Sequence, residues 1–201
     1  MISSLLLLDR SLFLFLNGLN SIWLDPVMFY CSMGLLWLPL FLVLFYLTIR
    51  IFKWKILIIL LMVALMITAS DQLSNLVKNV TKRPRPTHES ILEGKVHFVN
   101  GYKGGRYAFY SAHASNTFAL AVFLTMLLSR RYSWIPFILF VWASWMSYTR
   151  IYLGVHYPSD VLAGCLTGSF LGWLFGILTR RLLIRFNHPR RHGISLSGKA
   201  G

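Results

Sequence analysis

Acidic side chains are scarce in this chain of 201 residues, which has six Asp and Glu residues against twenty Lys and Arg residues. Charged residues of both signs make up only 13% of the sequence, whereas hydrophobic residues make up 56%. So small a charged fraction excludes an ordinary soluble domain and indicates an integral membrane protein. The formal net charge of +14 favours anionic partners, namely membrane lipid headgroups and phosphorylated substrates.

Cysteine is equally rare. Cys31 and Cys165 both lie in apolar stretches, where a thiol usually serves as a small packing residue, so the sequence does not indicate a disulfide framework. The basic residues are divided between short connections and the C-terminal end instead of forming one stripe. We therefore do not expect nucleic acid as a partner.

Long apolar runs, in contrast, are abundant. A helix needs about 20 residues to cross the hydrocarbon core, and five runs reach or nearly reach that length. They lie at about 26–49, 55–77, 112–129, 133–149 and 158–181. The sequence therefore predicts an all-α, polytopic membrane bundle with five transmembrane helices. The loop between the second and third helices, at about 87–108, is a candidate lid.

The first 24 residues differ from these runs. Leu, Ile and Phe recur there at helical spacing, while Asp9, Asn17 and Asn20 lie elsewhere around the helix. This pattern favours an amphipathic helix in the membrane interface, and a sixth crossing is the alternative. We expect a single membrane domain over residues 1–185 and a basic, flexible tail over residues 186–201.

Basic residues are unevenly distributed between the two ends of the predicted helices. Alternate connections collect eleven of them on one face, without an acidic residue, and the positive-inside rule makes that face cytoplasmic. Three polar clusters that interrupt the apolar runs then share the outer face. The eleven residues are Arg50, Lys53, Lys55, Arg130, Arg131, Arg180, Arg181, Arg185, Arg190, Arg191 and Lys199.

The first polar cluster follows the second apolar run and contains Lys78 and Arg85. A guanidinium can bind two phosphate oxygens at once and Lys supplies a compact charge, so the pair suits a phosphate. Pro84 and Pro86 end the helix and stiffen the segment that carries Arg85. A basic anchor for lipid headgroups is the alternative interpretation.

The second polar cluster opens the third apolar run with Ser111 and His113. Ser is a favoured N-cap residue, and the backbone N–H groups that follow it form a natural anion site. His113 lies just inside the helix and can present a ring nitrogen to a bound group. A capped helix with one structural His is the alternative.

The third polar cluster contains Arg150, His156 and Asp160. Pro158 suits the first turn of a helix, which places Asp160 near the positive end of the helix dipole. A carboxylate beside an imidazole fixes the tautomer and leaves the other ring nitrogen free to act as a nucleophile or base. A simple capping carboxylate is the alternative.

The spacing of the three clusters resembles the three-part signature of the type 2 phosphatidic acid phosphatase (PAP2) superfamily. The matching residues are Lys78, six residues and Arg85-Pro86; Ser111-Ala112-His113; and Thr149-Arg150, five residues, His156, three residues and Asp160. The helix pattern resembles the bacterial integral-membrane branch. The resemblance implies a lipid phosphatase or diphosphatase of the bacterial inner membrane, with a periplasmic active site and with neither a metal nor a cofactor.

The resemblance also implies a role for each residue. His156 would attack phosphorus and form a phosphohistidine, while Asp160 orients and polarises it. His113 would protonate the leaving oxygen and then activate water. The phosphoryl oxygens would be held by Lys78, Arg85, Ser111, Ala112 and Arg150.

Two motifs depart from the family pattern: the second reads Tyr110-Ser111-Ala112-His113 where the family usually has Pro-Ser-Gly-His, and the third contains Thr149. Ala112 replaces the usual Gly, which requires a backbone conformation that accepts a Cβ, as a helix start does, and Thr149 replaces the commoner Ser. Undecaprenyl diphosphate, lipid A, phosphatidylglycerol phosphate and phosphatidic acid are the candidate substrates. A lipid phosphotransferase and an inactive headgroup-binding protein are the alternative functions. The oligomeric state stays open, and we expect His88 and His97 to be solvated.

Overall fold

Helices account for most of the chain in the computed structural model, which describes residues 2–186. Within that range no β-strand occurs, and a single isolated bridge joins Pro84 to Tyr107. The predicted all-α class is therefore confirmed. The predicted tail lies outside the described residues, apart from Phe186. The described helices are α1 (Ile2–Gly18), α2 (Leu24–Ser32), α3 (Leu38–Phe52), α4 (Ile56–Thr81), α5 (Ala112–Leu128), α6 (Ile135–Tyr152) and α7 (Pro158–Arg185).

Helix α5 forms the centre of the bundle and packs against α4, α6 and α7. The core around it is apolar, with Phe123, Leu128 and Leu139 fully buried. Large apolar side chains also cover the outside of the bundle; Leu57 is 70% exposed and Leu166 is 65% exposed. A surface of this kind is suited to lipid and not to water.

The first predicted span, at 26–49, is not one continuous helix. Helix α2 ends at Ser32, Met33 has an extended backbone with ψ 118°, and a 3-10 turn at Gly34–Trp37 leads into α3. Pro39 occupies the first turn of α3, where its missing N–H costs nothing. The same proline inside a longer helix would remove a hydrogen bond and clash with the preceding turn, which explains the break.

Among residues 2–186, two helical stretches are long and apolar enough to cross a membrane, Gly34–Thr81 and Pro158–Arg185. The first contains a 3-10 turn at Lys53–Lys55, and Lys53 has a φ of 51°. The turn lets α3 and α4 pack side by side through Leu44 and Ile59. Helix α5 is apolar but shorter, so the number of crossings stays a prediction.

The N-terminal helix is amphipathic, with its polar side turned towards the protein. Asp9 and Arg10 pair with residues beyond α4, and Asn17 is buried. Leu8 and Phe15 are more than 60% exposed on the other side. This arrangement suits a helix that contacts lipid, in the interface or across it.

Glycines bring α7 into close contact with α5. Gly164, Gly168 and Gly172 recur every four residues on one side of α7, and a Cβ on Gly168 would collide with the carbonyl group of Ser115. Close approach of the two backbones places the first turns of both helices together. The N–H of Ser111 accordingly donates to the carbonyl oxygen of Asp160 at 3.0 Å.

Candidate active site

The three polar clusters predicted from the sequence meet at one end of the bundle. Helices α4 and α6 end there, while α5 and α7 begin there. Ser111, Arg150, His156 and Asp160 are each no more than 5% exposed. Such a group of buried polar and ionisable residues in a lipid-facing protein marks a site of function.

The start of α5 has the geometry expected for an anion site. Ser111 is the N-cap, and its Oγ accepts the N–H of Ala114 at 3.4 Å. Ala112 is the first helical residue, so the Cβ that replaces the family's glycine is accommodated. The Nε2 atom of His113 is buried and has no hydrogen-bond partner among residues 2–186. It is therefore available to a bound group.

A tight turn carries His156 from α6 to α7. The carbonyl oxygen of Arg150 accepts the N–H groups of Val155 and His156 at 3.1 and 3.2 Å. Gly154 has a φ of 72°, a conformation that L side chains rarely adopt, and a Cβ there would approach Val96 and His97. The turn therefore holds His156 at a fixed position directly before α7.

Asp160 lies in the first turn of α7, which begins at Pro158 as predicted. Its Oδ2 accepts the N–H of Tyr157 at 2.9 Å and lies 3.6 Å from Nδ1 of His156. The second distance is an ion-pair distance and is longer than a hydrogen bond. Because Nδ1 faces the carboxylate, Nε2 is the ring nitrogen left for a bound group.

Three cationic side chains accompany the two histidines. Arg150 donates from Nε to Oγ1 of Thr149 at 3.1 Å, while its buried Nη2 has no partner among the described residues. Arg85 donates from Nε to the carbonyl oxygen of Tyr107 at 3.1 Å. Lys78, in the last turn of α4, is close enough to Arg85 and Asp160 for their charges to interact. This arrangement suits a polyanion such as a phosphoryl group.

Burial sets the protonation state of His156. It lowers the pKa of the imidazole to about 4, and the positive charges of Arg85 and Lys78 act in the same direction, while Asp160 opposes them. Burial also lowers the pKa of Arg85, with Tyr102 and Asp160 acting in the opposite direction. The imidazole is consequently neutral at neutral pH and retains a lone pair.

The loop between α4 and α5 lies against the site. Gly104 approaches the guanidinium group of Arg85 so closely that a Cβ would collide with it. The prediction that His97 is solvated is wrong, because its Nε2 lies 2.8 Å from Oδ1 of Asp25 and its backbone bonds to Asn17. The loop is thus attached to both α1 and α2.

Two residues that we did not predict in the site contact it directly. Arg83 donates from Nη1 to Oδ1 of Asp160 at 2.8 Å, and Asp9 accepts from Nη2 of Arg83 at 2.6 Å. An acidic residue in the apolar N-terminal helix was the available signal, since buried charges in membrane helices are usually functional. Spacing along the sequence alone does not reveal a pair 74 positions apart.

The donor set suits an anion better than a metal ion. Among the described residues, no group of three or more His, Cys, Asp or Glu is arranged to hold a metal. Asp160, the carboxylate beside His156, already bonds to Arg83 and Tyr157. The Lys and Arg side chains of the site supply positive charge of the kind that binds an anion.

A family model, the PAP2 superfamily, matches residues 55–184. The chain belongs to the PAP2 superfamily. The "Lipid A 4'-phosphatase" of Bacteroides thetaiotaomicron is 38% identical over 181 residues, which cover 89% of this chain and 80% of that protein. The "Lipid A 4'-phosphatase" of Porphyromonas gingivalis is 32% identical over 171 residues, which cover 82% of this chain and 70% of that protein.

Solved structures support the PAP2 fold. The PAP2 type phosphatidylglycerolphosphate phosphatase from Bacillus subtilis superposes with a TM-score of 0.68 at 20% identity, covering 89% of this chain and 88% of that one. Aquifex aeolicus LpxE superposes with a TM-score of 0.64 at 27% identity, covering 84% of this chain and 94% of that one. This PAP2 protein is therefore a bacterial membrane protein and a phosphatase.

Proposed function

We propose that this PAP2 protein hydrolyses the 4'-phosphate ester of lipid A through a phosphohistidine. The observation that carries the proposal is that His113, whose buried Nε2 has no partner among the described residues, lies close enough to Arg150 and His156 for their charges to interact at the buried end of the bundle. The two relatives named "Lipid A 4'-phosphatase" match over most of both chains and favour this substrate among phosphorylated lipids.

In the first step, Nε2 of His156 attacks phosphorus, so that a P–N bond forms while the P–O bond to the sugar breaks. The negative charge of the bound phosphate favours the protonated form of His113, which donates its proton to the leaving oxygen, so that the sugar departs as an alcohol. Lys78, Arg85 and Arg150 neutralise the charge on the equatorial oxygens. Charge neutralisation and positioning supply most of the catalysis in phosphoryl transfer.

In the second step, His113, now neutral, takes a proton from a water molecule that attacks the phosphohistidine. The P–N bond breaks, inorganic phosphate leaves and His156 returns to its neutral form. Asp160 stabilises the positive charge on the ring while the P–N bond exists. Ser111 and the N–H of Ala112 contribute donors from the start of α5.

The apolar exterior explains how a lipid can reach this site. Acyl chains can remain in the bilayer while the headgroup enters from the side, because the site lies at the end of the helices. We propose five crossings with α1 in the interface, in the bacterial inner membrane. The uneven division of basic residues described above supports a site on the periplasmic face.

The test is hydrolysis by the purified protein of lipid A, undecaprenyl diphosphate, phosphatidylglycerol phosphate and phosphatidic acid, each offered separately in detergent. We expect lipid A to give the highest rate of phosphate release, with mass spectrometry locating the loss at the 4' position. The variant His156→Ala should lose activity by at least about a thousandfold, as expected when a covalent nucleophile is removed. His88→Ala, an exposed loop histidine, is the matched control and should retain activity.

Different results would contradict different parts of the proposal. Full activity of His156→Ala would exclude the phosphohistidine. Preference for another lipid of the panel would exclude lipid A as the principal substrate while leaving the phosphatase site intact. Transfer of the phosphoryl group to a second, acceptor lipid in place of phosphate release would show a phosphotransferase instead.

A further inference from the structure

Arg83, which the sequence analysis did not place in the site, fixes the orientation of the Asp160 carboxylate. Asp160 is fully buried, and its two oxygens have separate partners: Oδ1 accepts from Arg83 at 2.8 Å, while Oδ2 accepts the N–H of Tyr157 and faces His156. A buried carboxylate requires partners for both oxygens, or it is strongly destabilised. The contact with Arg83 therefore sets the plane of the carboxylate that faces the imidazole.

Arg83 is itself held on two sides. Its guanidinium group lies 4.1 Å from the ring centre of Tyr157, and its Nη2 donates to Oδ2 of Asp9 at 2.6 Å. Its Nη1 also donates to Oγ of Ser159 at 2.8 Å. The planar fork of an arginine can bridge two carboxylates in this way, which a lysine cannot reproduce.

Asp9 connects this group to the N-terminal helix. Its Oδ1 accepts the N–H of Ser159 at 2.9 Å, and its Oδ2 accepts the hydroxyl of Ser159 at 2.5 Å. Asp9 thus lies at the start of α7, where a negative charge is stabilised by the helix dipole. Its side chain is only 11% exposed.

We propose that Asp9 and Arg83 are positioning residues, which hold Asp160 and through it His156 in the geometry for attack. The proposal rests on the proposed role of His156 as the nucleophile. Helix α1 lies outside residues 55–184, the part of the chain that the PAP2 family model matches. Full activity then depends on a helix that the family match does not include.

The experiment compares Arg83→Gln, Arg83→Lys, Asp9→Asn and the double variant Asp9→Asn with Arg83→Gln. Loss of a positioning contact should lower kcat by about ten- to a hundredfold in Arg83→Gln, with little change in KM. Arg83→Lys keeps the charge without the fork and should recover part of kcat. Asp9→Asn should lower kcat less, and the double variant should resemble Arg83→Gln, because both changes act through one chain of contacts.

A pH profile separates positioning from a merely structural role. Removing the positive charge of Arg83 lets Asp160 stabilise the imidazolium of His156 more strongly, which raises the pKa of His156. The acid limb of kcat/KM, the fall in activity at low pH as His156 is protonated, should therefore move to higher pH in Arg83→Gln. Arg83→Lys and Asp9→Asn, which keep that positive charge, should show no such upward movement. The other charged or titratable groups that face His156 are unchanged in all variants: Lys78, Arg85, His113 and Asp160.

Lys82→Gln is the matched control, because it removes the adjacent positive charge, and Lys82 has no ion pair with a described carboxylate. It should leave kcat and the acid limb unchanged. Wild-type kcat and an unmoved acid limb in Arg83→Gln would overturn the proposal, even where His156→Ala is inactive. Equal losses in Arg83→Gln and Arg83→Lys, with reduced thermal stability in both and no change in the acid limb, would also overturn it, since they would indicate a structural contact only.

Discussion

At the scale of single residues, His156 combines two properties that a phosphoryl acceptor needs. Burial and the neighbouring cations keep the ring neutral, so that a lone pair is available at Nε2. In the proposed mechanism Asp160, beside Nδ1, becomes important only when the ring gains positive charge during attack. The same surroundings that disfavour the protonated ring in the free protein therefore favour the phosphorylated ring, because the added phosphoryl group brings its own negative charge to the cations.

This environment predicts an unusual dependence of activity on pH. The pKa of His156 lies at about 4 instead of 6.5, so the acid limb of kcat/KM that reports on the free enzyme should lie near pH 4. Protonation below that pH removes the lone pair and with it the activity. The measurement is kcat/KM from pH 3.5 to 8 in one detergent.

The ionisation of the phosphate ester must be separated from that of the enzyme. Titrating the same lipid in the same detergent, followed by 31P NMR, gives the contribution of the substrate. If the limb that belongs to the enzyme lies at pH 6.5, then His156 is not held neutral by burial, and the electrostatic account of the nucleophile is wrong.

At the scale of helices, the contact between α5 and α7 holds the site together. Gly164, Gly168 and Gly172 allow the two backbones to approach, and the hydrogen bond from Ser111 to the carbonyl group of Asp160 closes the end of the contact. The anion site at the start of α5 and the carboxylate at the start of α7 therefore depend on one helix separation.

Gly168→Ala tests this dependence. The new Cβ would collide with the backbone of Ser115, which cannot move without moving α5, so we expect a destabilisation of about 1–3 kcal/mol. Because the helices must separate, phosphatase activity should fall as well. The measurements are the thermal unfolding midpoint in detergent and kcat at a temperature well below it.

Gly18→Ala serves as the control, since a Cβ on Gly18 would meet nothing within 4 Å. It should change neither the unfolding midpoint nor kcat. If Gly168→Ala were as stable and as active as Gly18→Ala, the close approach of α5 and α7 would not be what positions the site.

Local patterns predicted much of the fold and the site, and contacts between distant segments account for what was missed. Ser111 as an N-cap and Pro158 at the start of α7 depend on neighbouring residues alone, and the structure agrees with both. The pairing of Asp9 with Arg83 depends on how α1 folds back over the bundle, which no periodicity specifies. His97 was assigned to solvent for the same reason, because its partner Asp25 lies in α2, 72 positions away in the sequence.

At the scale of the whole molecule, the two ends of the bundle differ in charge. The end with the site contains Asp9, Glu89 and Asp160, each paired with Arg or His, in addition to Lys78, Arg85 and Arg150. The opposite end has basic residues at the α3–α4 turn, between α5 and α6, and in the last turns of α7. An apolar surface separates the two ends. Such an asymmetry fixes the orientation of a membrane protein during insertion.

Cysteine labelling tests that orientation with one kind of substitution at each end. Ser90 and Ser133 are both exposed, Ser90 in the loop beside the site and Ser133 in the turn before α6. In a variant whose Cys31 and Cys165 are replaced by alanine, we expect Ser90→Cys to react with a membrane-impermeant maleimide in spheroplasts. Ser133→Cys should react only after the membrane is disrupted, because its turn lies on the face with the excess of basic residues.

Other labelling patterns would contradict either the proposed orientation or the crossing by α5. Labelling of Ser133→Cys alone in spheroplasts would place the site in the cytoplasm, and a periplasmic lipid could not be the substrate. Labelling of both positions would place them on the same side of the membrane, which requires an even number of crossings between them and conflicts with a single crossing by α5. Only outward exposure of Ser90 combined with protection of Ser133 agrees with both the charge distribution and a continuous α5 that reaches from the site to the opposite face.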